Sequence, residues 1–225
     1  MRVKMSGMKR IVNQLRKIWI SLYLWIAELL YGPLAWAYDT VAWLVSFGYW
    51  SQWRRDVIEF IHSDPILELG YGTGELLIAL NQVGYAVTGL ELSAQMQRVT
   101  NRKLQRLGVN IKQVRATTEI IPFCAGVFST VLSTFPSNYI TQPDSLKEIH
   151  RVLAPGGKLI IVGLGAEFRS GWKKFLTKGI FGERNEVYIE SFITKAQKLG
   201  FLAELREKQG EEYRLLILIL RRNDG

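Results

Sequence analysis

From residue 39 onward the chain alternates between two hydrophobic patterns. Short apolar runs bounded by glycine or proline give way to stretches whose apolar residues recur three and four positions apart. The alternation predicts strands over 65–69, 86–90, 110–114, 127–134 and 158–163, with helices over 74–82, 93–107 and 142–152. Gly84, Gly108 and Gly156-Gly157 fall where helices should end and turns should form. Residues 39–63, DTVAWLVSFGYWSQWRRDVIEFIHS, read as helical with a break near Ser46–Gly48. Strands separated by helices imply βαβ units, hence an α/β fold with a doubly wound, mostly parallel sheet. Near the end, FLAELREKQGEEYRLLILILRR reads as two strands bending at Gln209-Gly210, an antiparallel pair at the sheet edge. Between sheet and pair, residues 166–190 read as a basic, aromatic insertion.

The first 37 residues follow a different rule and form an N-terminal extension to a main domain over 38–225. Arg10, Gln14, Lys17, Ser21 and Glu28 make a narrow polar stripe on a helical wheel, and Trp19, Leu22, Trp25, Ile26 and Leu29 cover the rest. A cleaved signal peptide lacks a convincing small-residue cleavage site. A spanning helix is interrupted by Glu28 and Gly32-Pro33. An in-plane interfacial helix fits best, with an ordinary helix packed on a globular body or a partner as its rival. Charge sharpens this picture. The chain carries +9 overall, and the leader holds Arg2, Lys4, Lys9, Arg10, Arg16 and Lys17 against Glu28 alone. That balance points to an anionic partner, and its place beside an apolar helix favours a membrane surface over nucleic acid. Cys124 is the single cysteine, and His62 and His150 are the two histidines. An internal disulfide is thereby excluded, no metal site is expected, and a reducing, cytoplasmic compartment fits.

The candidate chemistry sits in ILELGYGTGEL, residues 66–76. Glycines after the first strand let a ligand approach the backbone, at the place where open α/β sheets bind ligands. Gly70 and Gly72 fit the dinucleotide fingerprint, but Gly74 comes one residue early and Glu75 stands where the third glycine belongs. A diphosphate is therefore disfavoured. Glu91, ending the second strand, can accept hydrogen bonds from both ribose hydroxyls. Glu68 is a carboxylate suited to a positive group. A nucleoside with a cationic amino-acid tail matches both acids, and S-adenosyl-L-methionine is such a ligand.

These segments resemble the class I S-adenosylmethionine-dependent methyltransferases over roughly residues 36–165. ILELGYGTGEL looks like the family's glycine loop and VTGLELSAQM like its ribose segment. ATTEIIPF resembles the adenine-side loop, and SLKEIHRVLAPGGKLIIV the helix, turn and strand beyond it. The resemblance implies a Rossmann-like methyltransferase fold. It further implies that Glu68, Gly70, Gly72 and Gly74 surround the methionine moiety, and that Glu91 holds the ribose. Leu92 then packs on the adenine, Thr117 and Thr118 line its edge, and Ser133 and Thr134 face the sulfonium.

Upstream, YDTVAWLVSFGYWSQWRR is similar to a segment of the ubiquinone/menaquinone C-methyltransferases (UbiE type) that folds over the cofactor as a lid, here 38–62. Tyr38 and Trp53 are the aromatic candidates for screening the sulfonium. After the fourth strand this chain departs from that group. Phe135-Pro136-Ser137-Asn138-Tyr139 stands where those enzymes carry an Arg-Asn pair, and Val41-Ala42 replaces their Met-Asn. Tyr139 and Asp39 are the remaining candidates for a catalytic base. The expectation is a membrane-associated methyltransferase, peripheral or monotopic at the cytoplasmic face, acting on a lipophilic small molecule such as a polyisoprenoid quinol or a phospholipid amine. Arg169, Lys173, Lys174 and Lys178 of the insertion could add headgroup contacts. A cofactor-binding scaffold without turnover, a methyltransferase for a soluble molecule and an RNA methyltransferase are the competing readings. No nucleic acid partner is expected.

Overall fold

The computed structural model describes residues 25, 26, 28–169, 171–173 and 186–223. Most of the basic leader, together with Lys174 and Lys178, lies outside the described residues. Seven strands form one sheet: β1 (Ile66–Leu69), β2 (Val87–Leu90), β3 (Lys112–Val114), β4 (Phe128–Thr134), β5 (Leu153–Phe168), β6 (Phe201–Gln209) and β7 (Tyr213–Arg222). Their order is β3-β2-β1-β4-β5-β7-β6. The first five strands run parallel, and β7 enters antiparallel between β5 and β6. The chain leaves β1 toward β2 and β3, then returns to pair β4 on its other side. Such a reversal opens a crevice at the carboxyl ends of the strands.

Six helices are assigned: α1 (Tyr38–Val45), α2 (Trp50–Arg55), α3 (Glu75–Gln82), α4 (Ala94–Leu107), α5 (Pro143–Val152) and α6 (Glu186–Lys198). Local chemistry sets their ends. The Ser93 side chain accepts from the Met96 amide to start α4, and Gly108, at φ +66°, stops it. Pro143 opens α5, where its missing N–H costs nothing. Alternate residues of the strands feed two cores. Ile66, Leu132, Ile160, Val162 and Ile217 pack with Trp50, Trp53, Leu76, Leu80 and Leu104 from α2, α3 and α4. Leu67, Leu69, Leu159, Ile161 and Leu218 pack on the opposite face with Leu146, Ile149, Phe192 and Ala196 from α5 and α6. The result is a sheet covered on both faces, as a mostly parallel sheet requires.

Two expectations are corrected. Strand β5 does not stop near residue 163; Ala166, Glu167 and Phe168 pair with Leu215, Arg214 and Tyr213, so the insertion begins later than 166. Its far end, 186–190, opens α6. That helix is written in Ile189, Phe192, Ile193 and Ala196, apolar at helical spacing before Gly200. The helical segment over 39–63 does break as expected, with Phe47 at φ +54° and Gly48 at φ +85° between α1 and α2.

Gly89 shows how tightly the site end of the sheet is packed. A Cβ there would lie 2.4 Å from Tyr71 Cδ1, and Tyr71 is buried under the glycine loop. Gly89→Ala should cost about 1–3 kcal/mol of unfolding free energy through overpacking, measurable by urea denaturation. An unchanged midpoint would mean that Tyr71 does not rest on β2.

Candidate functional site

A cavity of about 620 Å³ opens at the carboxyl ends of β1, β2 and β4, lined among others by Tyr38, Arg54, Gly70, Gly72, Glu91, Leu92, Phe135 and Tyr139. Glu91 organises one side of it. Its Oε2 accepts from the Gly72 amide at 3.0 Å and its Oε1 from the Ser93 amide at 2.8 Å. One carboxylate therefore fixes both the glycine loop and the start of α4, with lone pairs remaining for a ligand's hydroxyls. Gly72, at φ +56°, has nothing within 4 Å of where a Cβ would stand, so its backbone meets the cavity bare. Gly74 serves differently. It caps α3 at φ +76°, where a Cβ would meet Thr100 Cγ2 at 2.5 Å, so its bareness lets α4 approach the loop.

Glu68 lies deeper. It is 1% exposed and its Oε2 has no hydrogen-bond partner among the described residues. Burial pushes its pKa from an ordinary 4.5 to about 8, against the pull of the nearby Arg54 charge and with a smaller push from Glu91. Gly70, just beyond β1 at φ +65°, lines the cavity, whereas Glu68 itself stays behind the lining. Arg54, on α2, is buried, lies 4.9 Å over the Trp50 ring, and reaches Glu75 Oε2 only at 3.7 Å. A buried, underpaired acid behind the lining, with a guanidinium, bare backbone and a second acid in the lining itself, fits a zwitterionic amino-acid nucleoside.

On the adenine side, Leu92, Thr117 and Thr118 all line the cavity. Leu92 is 57% exposed, an apolar surface awaiting cover, while Thr118 Oγ1 shares a hydrogen with Ser145 Oγ at 2.8 Å. Thr134 reaches the lining, whereas Ser133 is fully buried and bonded to Tyr139 Oη at 2.8 Å. Residues 28–37 also belong to this end. Glu28 and Tyr31 line the cavity, and Ser93 Oγ donates to the Tyr31 carbonyl at 2.6 Å. The boundary at 37/38 thus divides one structural cover, not two independent parts.

Besides Glu68, Gly74 and Ser133, which lie outside the lining, three further candidates do not stand where the sequence suggests. Trp53 is wholly buried among Phe135, Phe168 and Tyr213, so it roots α2 in the core, and its neighbour Arg54 reaches the cavity instead. Asp39 is committed on both oxygens, to Thr73 Oγ1 at 2.5 Å and to Lys103 Nζ at 2.6 Å. It straps α1 to the glycine loop and is not placed to act as a base. Tyr139 donates to the Leu69 carbonyl at 3.2 Å, and burial pushes its pKa well above the ordinary phenol value. Its hydroxyl keeps its proton at neutral pH and cannot serve as a base either.

The comparisons with known proteins agree with this geometry. A methyltransferase-domain model matches residues 66–157. The demethylmenaquinone methyltransferase of Thermus thermophilus is 31% identical over 167 residues, which cover 72% of each chain. The chain belongs to the class I S-adenosylmethionine-dependent methyltransferases. Among its relatives, the ubiquinone/menaquinone biosynthesis C-methyltransferase of Blochmanniella floridana is 33% identical over 142 residues, 59% of this chain and 56% of that one. The fold is shared with a methyltransferase assigned to the S-adenosylmethionine-dependent class in Methanococcus maripaludis, at TM-score 0.62 and 18% identity over 83% of this chain and 91% of that one. It is shared too with the geranyl diphosphate C-methyltransferase of Streptomyces coelicolor, at TM-score 0.57 and 14% identity over 76% and 79%.

Three measurements test the methyltransferase's binding end. Because folding raises the pKa of Glu68, the unfolded chain ionises first; stability should fall as pH rises from about 4.5 toward about 8, and Glu68→Gln should flatten that fall. A bound ammonium favours the ionised acid, so wild-type affinity for S-adenosylhomocysteine should rise several-fold between about pH 6 and 7.5, a rise the variant loses. Glu91→Ala should weaken the same ligand by about tenfold or more, read by calorimetry, because both its backbone tethers and its hydroxyl acceptor vanish.

Proposed function

We propose that this methyltransferase transfers a methyl group to a lipophilic acceptor taken from a membrane, of the polyisoprenoid quinol or phospholipid amine kind. Glu68 and Arg54 would take the ammonium and carboxylate of the methionine moiety, Glu91 the ribose, and Leu92 with Thr117 and Thr118 the adenine. When bound, S-adenosylmethionine supplies a methyl group already activated on a sulfonium, which leaves the protein to align the partners and exclude water. Tyr38, Phe135 and Pro136 supply an apolar wall on the lid side of the cavity. Phe135 is held there at φ +48°, its ring 4.4 Å from that of Trp50, over the bare Gly163. A non-glycine residue in that conformation is strained, and such strain is kept where geometry matters.

The observation that carries the reading is this aromatic wall beside the nucleoside site, in a chain whose relatives include quinone C-methyltransferases. The phospholipid amine stays in view because Glu28 and Glu119 stand in the lining beside Arg54 and Arg115, and an acceptor that begins as a cation would need such acids. The leader's basic and apolar sequence supports delivery from a membrane surface at the cytoplasmic side. No helix among the described residues is long and apolar enough to cross a membrane.

Incubating the enzyme with methyl-labelled cofactor and total membrane lipid should place label in a lipid fraction, and mass analysis would distinguish a C-methylated ring from an N-methylated headgroup. Good cofactor binding with label in no lipid would favour a scaffold. Tyr139→Phe should slow transfer by less than about tenfold, since losing a true general base costs roughly 100- to 10,000-fold.

A further inference from the structure

The lid is amphipathic in the wrong direction for a helix that only covers a pocket. Between residues 35 and 46 its inward positions are Ala35, Ala42 and Ser46, all buried, with Tyr38 on the cavity and Asp39 bonded to the loop. The outward positions are Trp36, Thr40, Trp43 and Leu44, spaced four, three and one apart along one face. Trp36 is 70% exposed, Trp43 56% and Leu44 58%. Small residues point in and large apolar ones point out. The face continues across the lid break: Trp43 lies against Gly48, and the adjacent Phe47 carries Trp172, itself 65% exposed, at 5.1 Å between ring centroids.

We propose that this outward face of the lid, Trp36, Trp43 and Leu44 extended by Trp172, inserts into the headgroup region of an anionic bilayer and seats the lid on the membrane. The inference deepens the proposed function and rests on its membrane part. Tryptophan suits the headgroup boundary, where an apolar ring with one polar edge is at home. Charge complementarity selects the bilayer over a second copy of the chain or a protein partner. The leader that precedes this face in the sequence carries six basic residues, and Arg169 lies close before Trp172, whose other neighbour Lys173 is paired with Glu212 at 2.6 Å. A second copy would bring the same positive surplus against itself, whereas anionic headgroups offset it. The same helix carries Asp39, whose bonds to Thr73 and Lys103 tie it to the glycine loop and to α4. Seating the lid therefore also steadies the methionine end of the cavity, so membrane and cofactor should each strengthen the binding of the other.

The test uses the full chain with sucrose-loaded vesicles of phosphatidylcholine, with and without phosphatidylglycerol. Trp36→Ser, Trp43→Ser and Leu44→Ser combined should weaken sedimentation with the anionic vesicles by about tenfold or more. Adenosylhomocysteine affinity without vesicles should stay at the wild-type value, which reports an intact fold. As a measurement that leaves the apolar face whole, Thr40→Cys, in a Cys124→Ser background that removes the exposed native thiol, takes a polarity-sensitive fluorophore. Its emission should shift to the blue on adding anionic vesicles. Vesicle binding equal to wild type in the triple variant, or an unshifted probe on bound protein, overturns the proposal while leaving a leader-driven membrane reading in place. A wild type that ignores both vesicles overturns both. A wild type that ignores vesicles and self-associates, with the triple variant monomeric, assigns the face to a second copy and overturns the bilayer.

Discussion

A carboxyl group sealed inside a protein with an oxygen left unbonded is a standing cost, and the architecture around Glu68 is arranged about that cost. In water the group would be ionised and hydrated; under the lid, burial drives it toward the neutral form. Arg54 partly offsets this but divides its charge between Glu68, the loosely held Glu75 and the face of Trp50. Neither charge is fully satisfied by the protein alone. A ligand carrying an ammonium and a carboxylate on one carbon would satisfy both at once, with Arg54 in the cavity lining and Glu68 behind it.

The remaining parts hold that cavity open and covered. β1 supplies Glu68 and the bare turn at Gly70, β2 supplies Glu91, and Glu91 in turn pins Gly72 and Ser93. Asp39 ties the lid to Thr73, one residue beyond Gly72. The aromatic cluster of Trp50, Trp53, Phe135, Phe168 and Tyr213 holds the lid from below, so Phe135 can keep a conformation that costs strain. The glycine loop, residues 38–62 and Phe135 are thus packed as one unit, and a change in any of them is felt by the others.

Much of this was legible from residue order because the signals are local. Alternating periods gave the βαβ units, Gly108 marked the end of α4, and Gly70, Gly72 and Glu91 meet at the cavity as their spacing suggested. Features set by long-range packing were not legible. In the Trp53-Arg54 pair the sequence favours the aromatic as the cavity residue, yet the sheet beneath draws the indole into the core and turns the guanidinium to the cavity. Asp39 looked like a free acid because Lys103, its partner, lies 64 residues away. The pairing of Ala166–Phe168 with Tyr213–Leu215 likewise depends on a strand that arrives last. The apparent base candidates failed for the same reason: nothing near Tyr139 in sequence announces that its hydroxyl will be buried against the Leu69 carbonyl.

The central claim is that Glu68 and Arg54 form an incomplete pair awaiting a zwitterion. A crystal structure of the complex with S-adenosylhomocysteine tests it most directly. The account predicts the ligand's amino group within hydrogen-bond reach of Glu68, directly or through one water, and its carboxylate on Arg54. An amino-acid tail turned away from both, with Glu68 still unbonded beneath Gly70, would contradict it.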